Sequence, residues 1–129
     1  MNKVQRIDTT TIQALAKKDW DNYRRGNTSF ELNNWLRDEM IMCQVAKTNT
    51  LLMDAKTLGR CTEALASIRQ RIGTMMTIKI NDTQECLVSF NLDLTLLTNG
   101  QRERLNREYD LNLEMVTEEE KDMTYAHMI

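Results

Sequence analysis

The chain has 129 residues, of which 41% are hydrophobic and 28% charged, and its formal net charge is −2. These values are typical of one globular domain and argue against a disordered chain. The sequence contains no apolar run of 18 residues and begins without the hydrophobic region of a signal peptide, which predicts a cytoplasmic protein without a membrane span. The cysteines are Cys43, Cys61 and Cys86, an odd number whose spacing matches no disulfide or zinc pattern, so we expect reduced thiols.

A short helix is predicted over residues 12–25. Residues 8–11 offer several N-cap candidates, and Gly26 follows as a stop signal. Its predicted apolar side consists of Ile12, Leu15, Ala16, Trp20 and Tyr23.

The segment 28–73 dominates the rest of the sequence. It has no proline and one internal glycine, Gly59, and apolar or small residues recur every three or four positions without a change of phase. Thr28 and Glu31 have the spacing of a capping box, and Gly73 is a plausible C-terminal stop. The pattern predicts either one helix about 65–70 Å long, at ~1.5 Å per residue, or a helical hairpin broken near residues 56–60.

The single helix would have a consequence for assembly. A compact domain of this length has a radius of gyration of roughly 14 Å, so one helix that long cannot bury its apolar stripe within its own chain. The prediction is therefore a homo-oligomer; the alternative is a monomer whose core helix is broken in the middle. The predicted interface residues are Leu32, Leu36, Met40, Cys43, Met53, Cys61, Leu65, Ile68 and Ile72.

After Gly73 the apolar period changes from 3.6 to 2. Residues 76–80 and 86–92 alternate around a polar turn at 81–84, which predicts an antiparallel β-hairpin. A capping box of Thr98 and Gln101 opens a predicted helix over residues 99–110. Residues 111–116 alternate again, so a third strand is as acceptable as an irregular segment.

The last part of the chain completes an α+β prediction. Thr117 and Glu120 form a third capping-box match before a short acidic helix over 118–122, followed by a tail at 123–129. The predicted organisation is a single domain, 1–129, with four parts. These are the N-terminal helix (1–26), the long helix or hairpin (28–73), the β-hairpin with its helix and possible third strand (75–116), and the acidic helix with the tail (117–129).

The inventory of catalytic side chains is nearly empty. The one histidine, His127, lies three residues from the end of the sequence, where a catalytic base is hard to hold rigidly. The four glycines are isolated and form no phosphate-binding loop, and no metal-ligand spacing is present. We therefore predict a protein that is not an enzyme, without catalytic residues, a metal site or a cofactor.

Arginines are the most suggestive polar residues. Their planar fork binds phosphate and carboxylate groups bidentately, so two groups that converge across a subunit boundary could hold a small anionic ligand such as a nucleotide. The candidate residues are Arg60, Arg69, Arg71, Arg102, Arg104 and Arg107. The alternative is a solvent-exposed face with i,i+4 ion pairs, since Glu103 precedes Arg107 and Arg104 precedes Glu108 by four residues.

Three function hypotheses follow. The first is a small cytoplasmic interaction or regulatory protein that acts as a homo-oligomer and binds another protein; the second is a module for a small anionic ligand. The third, a nucleic-acid-binding regulator, is favoured by residues 1–75, which carry 12 Lys and Arg against 8 Asp and Glu. It is opposed by the acidic total and by an aromatic content of 5%.

Overall fold

The computed structural model describes residues 4–73 and 75–117. The predicted acidic helix (118–122), the tail (123–129) and His127 lie outside the described residues. By its contacts the chain divides into two compact units, Met1–Leu94 and Thr95–Ile129. The prediction of a single domain stays a prediction.

The fold is α+β, as predicted, with four α-helices and a four-stranded mixed sheet among the described residues. The first unit contains the whole sheet and three helices, and the second unit contains the fourth helix. In chain order the elements are β1 (Gln5–Arg6), α1 (Thr9–Arg24), α2 (Glu31–Val45), β2 (Thr50–Asp54), α3 (Ala55–Arg71), β3 (Met75–Ile80), β4 (Glu85–Asn91), a short 3-10 helix (Leu94–Leu96) and α4 (Asn99–Tyr109).

The prediction of one dominant helix or helical hairpin over residues 28–73 is wrong, because a β-strand lies in its middle. Helix α2 ends at Val45, and Lys47 and Asn49 then adopt left-handed backbone conformations with φ of 63° and 50°. This turn directs the chain into β2, which pairs along its whole length with β4. The 3.6-residue phase was preserved only by coincidence, since Leu51 and Met53 also fit a strand with one buried face.

The strand order in the sheet is β1-β2-β4-β3. Strand β1 is parallel to β2, while β4 is antiparallel to both β2 and β3, so the predicted hairpin of β3 and β4 is confirmed. Strands β2 and β3 are joined by α3 with β4 inserted between them, which makes a split β-α-β unit. The sheet therefore ends in the two-residue β1 on one side and the six-residue β3 on the other.

One face of the sheet forms the floor of the core. Helices α2 and α3 pack on this face, and α1 packs against both of these helices. Antiparallel register places Leu51 beside Val88 and Met53 beside Cys86, and all four side chains are buried. Burial of this apolar surface is the main term that stabilises the unit.

Aspartates fix the starts of the helices in the first unit. The carboxylates of Asp8 and Asp54 accept hydrogen bonds from the first turns of α1 and α3. For α2 the predicted capping box of Thr28 and Glu31 is absent. Instead, Asp19 on α1 accepts hydrogen bonds from the N–H groups of residues 31 and 32, at 2.9 and 3.1 Å. Helix α1 thus supplies the cap of α2, which no local sequence pattern reveals.

In the second unit, the capping box of Thr98 and Gln101 is confirmed at the start of α4. Residues 111–116 form neither a strand nor a helix. The side-chain amides of Asn99 and Asn106 each pair with both main-chain groups of one residue in this segment, Val116 and Leu113 respectively. Side chains of α4 thus make hydrogen bonds to the main chain of this segment that a neighbouring strand would otherwise make.

Candidate interaction surfaces

The nine side chains predicted as an oligomer interface lie in the core of the first unit. Each of them is buried within the chain, and several are completely inaccessible to solvent. They come from α2, β2, α3 and the residue that follows α3. These side chains therefore do not need a partner chain to cover them. Self-association stays a prediction, and it has to rest on residues that remain exposed.

The arginines predicted to bind an anion fall into two sets. In the first unit Arg60, Arg69 and Arg71 are exposed on α3, and Arg60 is nine residues from Arg69, which corresponds to roughly 14 Å along a helix. Arg107 is exposed on α4 in the second unit. Nothing in these positions adds support for a ligand pocket.

Two arginines of α4 have structural partners. Arg102 is buried and donates hydrogen bonds to the carbonyl groups of Leu97 and Glu114. Arg104 forms the predicted i,i+4 ion pair with Glu108, at 2.9 Å. The anionic-ligand site stays a prediction, with two of its six residues already occupied in this way.

The other polar and cysteine side chains among the described residues indicate little further catalytic or metal-binding chemistry. In residues 4–73 and 75–117 no cluster of three His, Cys, Asp or Glu side chains is arranged to hold a metal ion. Within the same residues no helix combines the length and apolar character needed to cross a bilayer. The three cysteines are free and buried, and burial raises the pKa of the Cys61 thiol to about 11. Because only the thiolate is a good nucleophile, Cys61 is expected to be inert at neutral pH.

The first exposed apolar surface is the strand β3, which has no further strand beside it in the part of the chain that the structure describes. Its residues Met76, Ile78 and Ile80 lie on the same face of the sheet as the core residues of β4, since Ile78 is opposite Val88 and Ile80 is opposite Cys86. However, 42% of Ile78 and 57% of Ile80 are exposed, while their partners on β4 are fully buried. Apolar side chains at the edge of a sheet, beside unpaired main-chain groups, are a template for pairing with another strand.

The main-chain N–H and C=O groups of β3 point toward β4 or away from it, depending on whether the residue number is odd or even. The N–H of Asn81 donates to the carbonyl of Glu85 at 2.9 Å, so this residue pair faces inward to β4. Hydrogen-bonded pairs alternate in an antiparallel ladder, so residues 75, 77 and 79 also face β4. The N–H and C=O groups of Met76, Ile78 and Ile80 therefore point away from the sheet, on the residues whose side chains are apolar.

A second exposed surface, which we call the aromatic surface, consists of Trp20 and Tyr23 on α1. The rings of Trp20 and Tyr23 stack with their centroids 5.7 Å apart, and the two residues are 58% and 71% exposed. Lys17 and Arg24, three residues before and four residues after Trp20, lie on the same side of α1 and are exposed. Large exposed aromatic groups flanked by cations are typical of binding surfaces.

Sequence reasoning missed both surfaces. It placed Trp20 and Tyr23 on the apolar side of α1, and this assignment is wrong because both side chains are largely exposed, whereas Ile12 on the same helix is buried. A signal was available, since Lys17, Trp20 and Arg24 share one helix face. For β3 the signal was the apolar alternation of the strand, but its place at the edge follows only from the strand order.

Comparison of the chain with protein-family models, with curated proteins and with solved structures gave no match.

Proposed function

We propose that this chain is a small cytoplasmic interaction or regulatory protein without enzymatic activity, which acts as a homo-oligomer through protein surfaces and binds another protein. The observation that carries the proposal is the edge strand β3, where apolar side chains and main-chain groups without a partner strand among residues 4–73 and 75–117 occur on the same three residues. Natural edge strands are commonly protected by charges, bulges or short length. Strand β3 has six residues and one charge, Lys79.

The proposal is tested by the mass of the protein in solution. We expect wild-type protein to sediment as an oligomer at tens of micromolar and to dissociate on dilution. The Ile80→Lys variant should be monomeric, because it places a charge among the apolar residues of the edge. Exposure of 57% at this position leaves room for the longer side chain.

Val45→Lys is the matched control, because Val45 is an exposed apolar residue on a different element, at the end of α2. It introduces the same charge and should leave the oligomer intact. A wild-type protein that stays monomeric at several hundred micromolar would refute self-association, and loss of the oligomer in both variants would show a general charge effect.

Single-stranded nucleic acid binding is the second candidate function, and the aromatic surface favours it. The aromatic content of the chain is low, but Trp20 and Tyr23 are exposed side by side. Stacking on exposed aromatic rings between basic side chains is the common mode of sequence-tolerant binding to single strands. Lys17 and Arg24 supply the charges next to the rings.

Binding of a fluorescein-labelled dT20 oligonucleotide can be measured by fluorescence anisotropy at salt concentrations from about 20 to about 300 mM. The second candidate predicts affinity that falls steeply with salt and drops about tenfold in Trp20→Ala, because one stacked base is worth about 1–3 kcal/mol. Trp35→Phe is the control for loss of a tryptophan outside this surface. An absence of binding at 20 mM salt would remove this candidate and leave the aromatic surface available to the protein partner.

A further inference from the structure

We propose that two copies of the chain join their β3 strands antiparallel, with a two-fold axis at Ile78, into one continuous eight-stranded sheet. This inference rests on the proposed function, since it names a second copy as the occupant of the free edge. It also specifies which residues meet.

A two-fold axis perpendicular to the sheet keeps the same face of both copies on the same side. Side chains that lie opposite each other must then belong to the same face, so residues of equal parity pair across the axis. Two central registers satisfy this rule. One places Ile78 opposite Ile78 of the second copy, and the other places Thr77 opposite Thr77.

The outward-facing main-chain groups favour the register at Ile78. In that register Met76 lies opposite Ile80 of the second copy and Ile78 lies opposite itself, so all three outward-facing residues are paired within the strand. About six main-chain hydrogen bonds would result, two from each pair. The register at Thr77 would pair Met76 with Ile78 and leave Ile80 opposite residue 74, beyond the end of β3.

Side chains favour the same register. On the face shared with the core, the pairs of Met76 with Ile80 and of Ile78 with itself make a continuous apolar strip across the axis, which covers the exposed part of Ile78 and Ile80. On the other face, Lys79 lies opposite Thr77 of the second copy. The two lysines are therefore not directly opposite each other, so the pairing is free of like-charge contact between them.

The first test places a positive charge on residue 78 in one variant and a negative charge on it in another. Ile78→Lys and Ile78→Glu should each be monomeric, because each places two like charges directly opposite. An equimolar mixture should form a dimer that contains one copy of each variant, visible by native mass spectrometry from their different masses. Circular dichroism checks that both variants are folded, which the 42% exposure of Ile78 permits.

Substitutions at Thr77 distinguish the two registers. With the axis at Ile78, Thr77→Glu faces Lys79 of the second copy and should tighten the dimer about threefold to tenfold, while Thr77→Lys should weaken it by a similar factor. With the axis at Thr77, both variants would place like charges opposite and both would weaken the dimer. Sedimentation equilibrium gives the dissociation constants.

The outcomes separate the register from the proposed function. A monomeric wild-type protein refutes both. A wild-type dimer whose Ile78 variants do not form a mixed dimer, or that is weakened by Thr77→Glu, refutes the register and leaves self-association established. Formation of the mixed dimer together with tightening by Thr77→Glu supports the pairing at Ile78.

Discussion

The two edges of the sheet are built in different ways. At one edge, β1 has two residues and is held by a bidentate ion pair, in which Arg6 contacts Glu85 on β4 at 2.7 and 3.0 Å. The buried side chain of Ile7 follows it, and the N–H of Ile7 donates to Leu52 at 2.8 Å. At the other edge β3 is longer and apolar. A short charged edge resists the addition of a strand, whereas a long apolar edge invites it.

The two edges should differ most in the stability that is lost when an isoleucine is replaced by alanine. Ile7→Ala should lower the free energy of unfolding by about 2–5 kcal/mol, because a buried side chain is lost and a cavity is left. Ile80→Ala should cost less than about 1 kcal/mol in dilute, monomeric protein, since most of this side chain is exposed. Urea denaturation of the two variants measures both values, and equal losses would contradict the description of β3 as a weakly covered edge.

Proline substitutions separate the two sides of β3 itself. Thr77→Pro removes an N–H that faces β4 and should cost about 1–3 kcal/mol of stability. Ile78→Pro removes an N–H that points outward, so the hairpin should be retained while self-association is lost. Thermal unfolding and sedimentation of the pair provide the check, with Ile78→Ala as a control for loss of the side chain. Retained self-association in Ile78→Pro would count against pairing through this edge.

The turn that attaches β3 to β4 should have a smaller effect. The side-chain oxygen of Asn81 accepts hydrogen bonds from the N–H and hydroxyl groups of Thr83 and from the N–H of Glu85, at 2.8–3.0 Å. Asn81→Ala should therefore destabilise the protein by about 1 kcal/mol. Asn81→Asp keeps the acceptor and should retain most of the stability, and an equal loss in both variants would refute the assigned role of this oxygen.

Lowering the pH should have the smallest effect on stability, and it should weaken the ion pair at the β1 edge. The hydrogen bond from Arg6 lowers the pKa of Glu85 below its ordinary value of 4.5. A lowered pKa means that the stabilisation is complete above pH 4.5 and is lost as pH falls through the lower value of the folded state. In urea denaturation from pH 7 to pH 2, Glu85→Gln should remove this part of the pH dependence. If stability depends on pH in the same way in the variant and in the wild type, the ion pair makes no measurable contribution to stability.

Much of the local structure was predictable, and the errors have a common origin. The β3–β4 hairpin and the capping box of α4 depend on neighbours in the chain, and both predictions are confirmed. The helix over 28–73 was wrong because Thr50–Asp54 fits either period, and only pairing with β4 makes it a strand. Likewise, the predicted cap of α2 was local, whereas Asp19 reaches it through helix packing.

The sequence by itself determined the fold class, the C-terminal end of α1, the limits of α4 to within one residue, and the alternation that makes β3 and β4 a hairpin, because these depend on residues within a few positions of one another. Only the tertiary structure decided which apolar residues became core and which remained on the surface. The stripe from Leu32 to Ile72 is enclosed within one chain, while Ile78 and Ile80 are left at an edge. The physical reason is that burial depends on the order in which strands pair and on the helices that cover them, and residues distant in sequence set both.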